Sequence, residues 1–596
     1  MRTIKYISKM IIMTLFISLF GCNDDKFLRE NPSTFYTTEN IYSTSEQVDQ
    51  VLVSIYSYLR DLRINPGESA WIFDLKGKGT DMYDVANIRK GSTFSDYSSI
   101  NPNHTTFKEV YAAWYTVISR ANMAVYAASL PQITWASETE KAYVVGQARF
   151  FRAYAYMNLA ELFGGVPIVT EIATAPRYDY ARATRLETYR YAIEEMEAII
   201  NDIPETTVSG GRLIRGAVQH YLCELYLAMG TQLNEEGKAG DAQSAFTNSV
   251  RYADMVIDGG LYSLMNTRFG TRREDDSFSL DIRPGGSAAA DVVDTICFQT
   301  NHYWDLFQDG NINYQDGNKE CVWAIQIDYD AYRAEDTKSK LNYSRAFGPI
   351  LRDVVTEWIA GMLEDIGGRG ISQINLTMYA RDGIYEGKFG EDIRNSDAVF
   401  RRRFKGNVPG SPYYLKDIPW EAMYNKAEDE NTNMLNRSSI YPISCKIFTD
   451  RYLGLDAGEN RSNLFRDDYY IRLSETILLR AEAKQRNGDK TGAAADINLL
   501  RARAQATYMV TAGDMDDAFN MILDERAREL IYEENRWNTL LRMGSTIAVD
   551  RIRKYAFWPE TAATLTFNYN LWPIPQSVID VNKDIPLEQN PGWVNR

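Results

Sequence analysis

Histidine is nearly missing from this chain: His104, His220 and His302 are the only three in 596 residues, and with the cysteines they form no cluster of three or four at metal-ligand spacing. That composition argues against a structural metal site and against any resident cofactor built on one. Cysteine is also scarce. Apart from Cys22 there are Cys223, Cys297, Cys321 and Cys445, far apart and without a C-x-x-C pair. Each sits in an apolar run and reads as a buried free thiol, with one disulfide left open in an oxidising compartment. Basic charge is in deficit, with 65 Lys and Arg against 80 Asp and Glu, for a net charge of −15. Arg2, Lys5 and Lys9 fall in the first 21 residues, so the remainder is more acidic still. An acidic surface disfavours phosphate backbones, and nucleic acid is set aside. No G-x-S-x-G motif and no alternating strand–helix pattern of a barrel occurs. Long apolar runs are absent too. The longest, Met10–Gly21, has twelve residues, whereas a span needs about 20.

That short run still has a use. It follows a basic start and ends at Leu19-Phe20-Gly21-Cys22, the plan of a signal segment over residues 1–21. The last four residues resemble the bacterial lipobox, which makes Cys22 the expected lipidation site; a plain signal peptide is the alternative. The acidic Asn23-Asp24-Asp25 that follows resembles the surface-export signal of Bacteroidetes lipoproteins.

Helical periodicity dominates the rest. Val144, Ala148, Phe151, Ala155, Leu159 and Leu162 mark one stripe of an amphipathic helix, closed by Gly164-Gly165 and Pro167. Residues 185–200 predict another helix. Two longer helix–turn–helix units follow. Each has Gly-Asp at its turn (Gly240-Asp241, Gly488-Asp489) and an alanine five residues after the glycine (Ala245, Ala493). Small residues there suit close tetratricopeptide-type packing, but the units are too degenerate and too separated for a uniform solenoid. Between about 262 and 440, Gly, Asn, Asp and aromatics rise, with strand-like runs at 292–299, 321–327 and 440–448. The expected fold is therefore mainly α, a tetratricopeptide-like helical-pair scaffold with long irregular loops and a few short strands. The expected parts are 1–21 (signal), 22–260 (helical), 261–440 (loop-rich, ligand-binding) and 441–596 (helical).

The densest motif is Ile522–Gly544, ILDERARELIYEENRWNTLLRMG. As one helix it would pair Asp524 and Glu525 with Arg528, and Glu533 with Arg536. Those pairs explain its glutamates without catalysis. The segment also closely resembles the E-R-x-x-E-L-x-x-E-x-x-R-W-x-x-L-x-R-x-G signature of the SusD/RagB family, at Glu525, Arg526, Glu529, Leu530, Glu533, Arg536, Trp537, Leu540, Arg542 and Gly544. KFLRENPSTFYTTEN near the start, Arg152 through Pro167, and the closing Pro573-Ile574-Pro575 with Gln589–Gly592 resemble further landmarks of that family.

The resemblance implies a non-catalytic surface lipoprotein of the outer membrane, facing outward. It would bind oligosaccharide and pass it to a SusC-like TonB-dependent transporter. A peptide-binding RagB-like protein is the alternative. A carboxylate glycoside hydrolase and a helical scaffold that binds only proteins are the less favoured classes. Ligand residues do not carry over, because the family's loops vary. They are chosen on physics: aromatic faces stack on sugar C–H faces, and Asn, Asp and Arg hydrogen-bond hydroxyls. The candidates are Asn301, Tyr303, Trp304, Asp305 and Tyr314; Asp81, Tyr83 and Tyr97, with Asn87 and Phe94 beside them; and Tyr343 and Arg345. Trp304 heads the set because polar neighbours surround it. Trp114, Trp323 and Trp537 lie in apolar patterns and are expected in the core.

Overall fold

In a computed structural model the described residues are 41–64, 74–85, 94, 96–334, 336–426, 438–455, 461–517, 519–544, 546–565 and 570–594. The signal segment, Cys22, Asp24, Asp25 and Asn87 lie outside them. Six helices form the N-terminal part: α1 Ser45–Ile64, α2 Thr105–Ser129, α3 Glu138–Phe163, α4 Arg185–Ile199, α5 Arg215–Glu235 and α6 Ala239–Ile257. Each packs against the next. The starts are set locally: Ser137 caps α3 and a Thr184/Glu187 capping box opens α4. The α3 stripe proves too narrow a reading. From Phe150 to Phe163 every side chain of α3 is buried, because helices cover it on all sides.

The C-terminal part adds α7 Leu473–Arg486, α8 Lys490–Arg503, α9 Asn520–Leu530 and α10 Arg536–Met543. Helix α7 packs directly on α6, so the two helical-pair units stack in space across the two hundred residues that separate them. Ala245 and Ala493 are buried where their partners approach.

The intervening chain forms its own apolar core, including Phe278, Phe298, Trp304, Phe307, Ile359, Phe404 and Ile443. The strands are short: β1 Tyr83–Val85, which lies between α1 and α2, and, in the intervening chain, β2 Ser277–Ile282, β3 Asp294–Gln299, β4 Cys321–Ile325, β5 Ile374–Leu376, β6 Phe400–Arg401, β7 Ile443–Ser444 and β8 Asp468–Arg472. They make four antiparallel pairs, β1–β5, β2–β3, β4–β8 and β6–β7. The three expected strand regions are present. The partner of β4, β8, was hidden, since its DYYIR runs straight into α7, which starts at the next residue. Cys223, Cys321 and Cys445 are buried free thiols as expected, whereas Cys297 is exposed on the outer face of β3.

The segment 522–544 departs most from its expected form. It is two helices, not one, broken over residues 531–535 with Tyr532 at φ 66°. Glu525 does pair with Arg528 at 3.0 Å. Asp524 instead meets Arg551 at 2.9 Å, and Glu533 meets Arg472 at 2.6 Å. The break turns Glu533 and Glu534 inward, and the charges join a buried lattice. Glu529 accepts from Arg394 (3.0 Å), Arg472 (2.8 Å) and Arg503 (2.5 Å). Arg536 holds Asp81 and Glu534, both at 2.7 Å. Burial alone would raise the Glu525 carboxyl, but Arg394, Arg528 and Arg501 overcome it and hold the group down at about 2. A lattice of fully desolvated ions fixes relative positions because each charge left unpaired is costly.

Candidate functional site

Strands β4 and β8 run from this lattice to the surface. At one end Cys321 faces Arg472, and Glu320 beside it accepts from Arg472 and Arg503; at the other, Ile325 faces Asp468. The loops leaving that second end, 326–342 and 461–467, are tied by a two-way backbone bridge between Leu341 and Leu464 (2.8 and 2.9 Å). Asp467 accepts from the Ile327 amide (2.7 Å) and from Asn313 Nδ2 (2.7 Å). Burial pushes the Asp467 carboxyl up to about 6. Asp328 caps the short helix Tyr329–Arg333 through the Asp330 and Ala331 amides.

That cap presents Tyr329 and Tyr332 on one side, i and i+3 apart. Both pack on Phe465 from the opposite loop, with ring centres 4.7 and 4.9 Å away. All three rings are half-buried, and Lys340 Nζ stands 5.7 Å from the Tyr332 ring. Asp336 in the same loop accepts from Arg60 at 3.1 Å, and Lys338 reaches Asp61 at 3.0 Å, so the platform is clamped to the end of α1.

Beside it lies a cleft of about 250 Å³ bounded by Tyr56, Ser57, Arg60, Arg212, Gln326 and Tyr470. Tyr470 stacks on Trp323 at 4.1 Å, is 7% exposed, and its hydroxyl has no hydrogen-bond partner. That hydroxyl is buried, and the ring of Tyr470 closes the floor of the cleft. Chemically, the face offers aromatic surface for C–H stacking next to hydroxyl, amide and guanidinium groups.

The sequence candidates sit elsewhere. Trp304 is 3% exposed, stacked on Phe278 at 5.6 Å and faced by the Arg272 guanidinium at 4.5 Å. Asn301 accepts from the Trp304 amide, and the turn it caps folds inward against β2 and β3. Tyr303 is buried with its hydroxyl on the Glu529 carbonyl, and Asp305 is buried against Arg268. Asp81 belongs to the lattice; Tyr83 accepts from the Tyr532 amide; Tyr97 donates to the Gly79 carbonyl; Phe94 is wholly buried. Tyr343 is buried against Asp468 at 3.0 Å. Among the described candidates only Asn301, Tyr314 and Arg345 keep partial exposure, on separate elements, and Lys319 Nζ lies 3.7 Å from the Tyr314 ring. The polar neighbours that recommended these residues are their internal hydrogen-bond partners. Trp114, Trp323 and Trp537 are core, as expected. The signal for the platform was present in DYDAYR: two tyrosines i,i+3 apart, flanked by acids, just after a strand.

Comparisons with known proteins agree on one family. The profile of the SusD family matches residues 319–593, and a SusD-like profile described as starch-binding associating with outer membrane matches 26–227. SusD-like protein P2 of Formosa agariphila is 21% identical over 98% of this chain and 99% of its own length. The starch-binding protein SusD of Bacteroides thetaiotaomicron is 35% identical over 124 residues, 21% of each chain. A SusD homolog from B. thetaiotaomicron superposes with TM-score 0.64 at 17% identity, covering 93% of this chain and 98% of that one. Surface glycan-binding protein A from the same organism, solved with laminarihexaose, gives 0.56 at 16% identity, covering 92% and 99%. With the SusD family profile and the SusD-like profile together matching residues 319–593 and 26–227, the chain belongs to the SusD family.

Proposed function

We propose that this protein is a glycan-binding lipoprotein of the outer membrane, tethered through Cys22, facing outward, and passing oligosaccharide to a SusC-like TonB-dependent transporter. The observation that carries the binding reading is the half-buried platform of Tyr329, Tyr332 and Phe465 beside a cleft lined by Tyr56, Arg60, Arg212 and Gln326. Family membership supports it, since the N-terminal profile is described as starch-binding and a full-length neighbour was solved with laminarihexaose. Binding proteins of this kind work by weak, reversible contacts on a preformed surface. The lattice beneath β4 and β8 supplies the rigidity, and the loops supply the contacts.

Calorimetry with α-glucan and β-1,3-glucan oligosaccharides tests the reading. Stacking adds on the order of 1 kcal/mol per ring, so Tyr329→Ala with Tyr332→Ala is expected to weaken binding about tenfold or more, with the melting temperature little changed. Unchanged affinity in the folded double variant would refute the platform. Blank titrations against every glycan, with binding of peptides, would move the protein to the peptide-binding reading. Released reducing ends would make it an enzyme instead.

A further inference from the structure

A second cavity, of about 440 Å³, shares no lining residue with the platform or its cleft. It lies between α2, the chain after α3 and the short helix Gln576–Val581. Its floor is Tyr115, stacked on Tyr111 with ring centres 4.9 Å apart and planes at 28°. The Tyr115 hydroxyl donates to the Pro167 carbonyl at 2.6 Å, which fixes the ring while leaving it partly exposed. Val169, Val578 and Leu587 complete an apolar lining. The walls are tied to each other. Asn582 accepts from the Tyr180 amide and donates to the Tyr180 carbonyl, both at 2.9 Å, and the Asp584 amide donates to the Tyr178 carbonyl at 2.9 Å. The space is therefore preformed, and its volume falls within the range of about 300–1,000 Å³ usual for small-molecule sites.

The polar groups of the cavity divide into two sets. Those that are buried serve the fold: Asn122 donates to the Val169 and Glu171 carbonyls and accepts from Arg152. Those at the rim are exposed: Ser119 on α2, Glu171 and Arg177 on the loop, and Ser577 on the short helix. Arg177 gives its Nε to Asp179 at 2.9 Å and lies over the Tyr180 ring at 4.8 Å. The rim thus offers two hydroxyls, a carboxylate acceptor and a guanidinium donor around an aromatic floor. Its one acid and one base are of opposite sign, so it selects neither an anion nor a cation. An uncharged ligand with an apolar face and many hydroxyls matches both parts, and that is the chemistry of a neutral sugar.

We infer that this cavity is a second saccharide site, which takes an uncharged glycan with a sugar C–H face on Tyr115 and its hydroxyls on Ser119, Glu171, Arg177 and Ser577. The inference rests on the glycan-binding reading above and adds a site to it. One partly exposed floor ring stands against three rings on the platform, so the cavity is the weaker of the two sites.

Equilibrium dialysis with labelled maltohexaose and laminarihexaose tests it in a Tyr329→Ala, Tyr332→Ala background, where the platform is disabled. Residual binding is expected there. Ser119→Trp, which fills the cavity from α2, should weaken it about tenfold or more, since stacking and rim hydrogen bonds are lost together. Val581→Trp should act alike from the opposite wall, where Val581 is 60% exposed, so the result does not hang on one variant folding. With the platform intact, neither tryptophan should alter the tighter site. Amide exchange gives the local readout: either glycan should slow the amides of 577–582 in the platform-disabled protein, and not after Ser119→Trp. Residual binding that neither tryptophan weakens, or exchange across 577–582 that neither glycan slows, would overturn the second site and leave the platform standing. No binding of either glycan by the native protein would overturn both.

Discussion

Glu529→Ala is expected to lower the stability of the described fold by on the order of 3–5 kcal/mol, the cost of breaking a buried ion pair from one side. Glu529 is wholly buried, and each carboxylate oxygen is occupied: Oε1 by Arg472 and Arg503, Oε2 by Arg394. Removing it leaves three guanidiniums, each no more than 2% exposed, facing one another with less anionic charge between them. Glu320 still meets Arg472 and Arg503, Glu525 still meets Arg394, and Glu533 still meets Arg472, but Glu533 also serves Lys446 and Glu525 also serves Arg501 and Arg528, so the cluster is left short of anionic charge. Glu529→Gln keeps the volume and an acceptor oxygen and should fall between the two. The check is the midpoint of the first cooperative transition in urea, since a chain of this size need not unfold in two states. A loss below about 1 kcal/mol for the alanine variant would mean the lattice relaxes around the hole, contrary to its role as a rigid support.

The second large effect is on pH dependence. Glu161 on α3 and Glu224 on α5 lie beneath Arg542. Desolvation pushes their carboxyls up to about 7 and about 8, and Glu161 adds to the rise at Glu224. A glutamate of the unfolded chain ionises near its ordinary value, about 4.3. Between that value and the folded one, the folded protein holds the proton and the unfolded chain does not. The contribution is therefore complete at acidic pH and is lost as pH rises toward 8. Glu482, which meets the same Arg542 at 2.9 Å, behaves oppositely. Burial would raise it, yet Arg542 and Arg486 hold it down at about 2, so its contribution is lost as pH falls from about 4.5 to about 2. Glu224→Gln removes that residue's share of the alkaline loss. Its melting temperature relative to the native protein should climb between pH 5 and pH 8, by an amount equivalent to about 3 kcal/mol. Scanning calorimetry from pH 4 to pH 9 decides it: a constant difference across that range would contradict the buried, protonated state.

Both effects arise from one feature. The motif 522–544 resembles a solvent-exposed helix laced with i,i+4 pairs when written as a string, and the same letters serve a buried network when folded. Local spacing predicted the Glu525–Arg528 bond correctly because the two residues share a helical turn. It could not predict Glu533–Arg472 or Asp81–Arg536, whose partners lie 61 and 455 residues away. The same limit explains Trp304. Polar neighbours in sequence were taken for a ligand's surroundings, whereas Asn301 and Asp305 are spent on a cap and on Arg268.

By itself the sequence determined the helical class, the tetratricopeptide-like pairing, the family and the burial of Trp114, Trp323 and Trp537. Those follow from 3.6-residue periodicity, small residues at helix crossings and ordered motifs, all of which act over a few turns of chain. Only the tertiary structure decided which charges are desolvated and which aromatics remain at the surface. It placed α6 on α7, set β4 beside β8, and so brought Tyr329, Tyr332 and Phe465 together. Burial is a property of the whole packed surface, and a tyrosine in a loop carries no local mark of the side it will face.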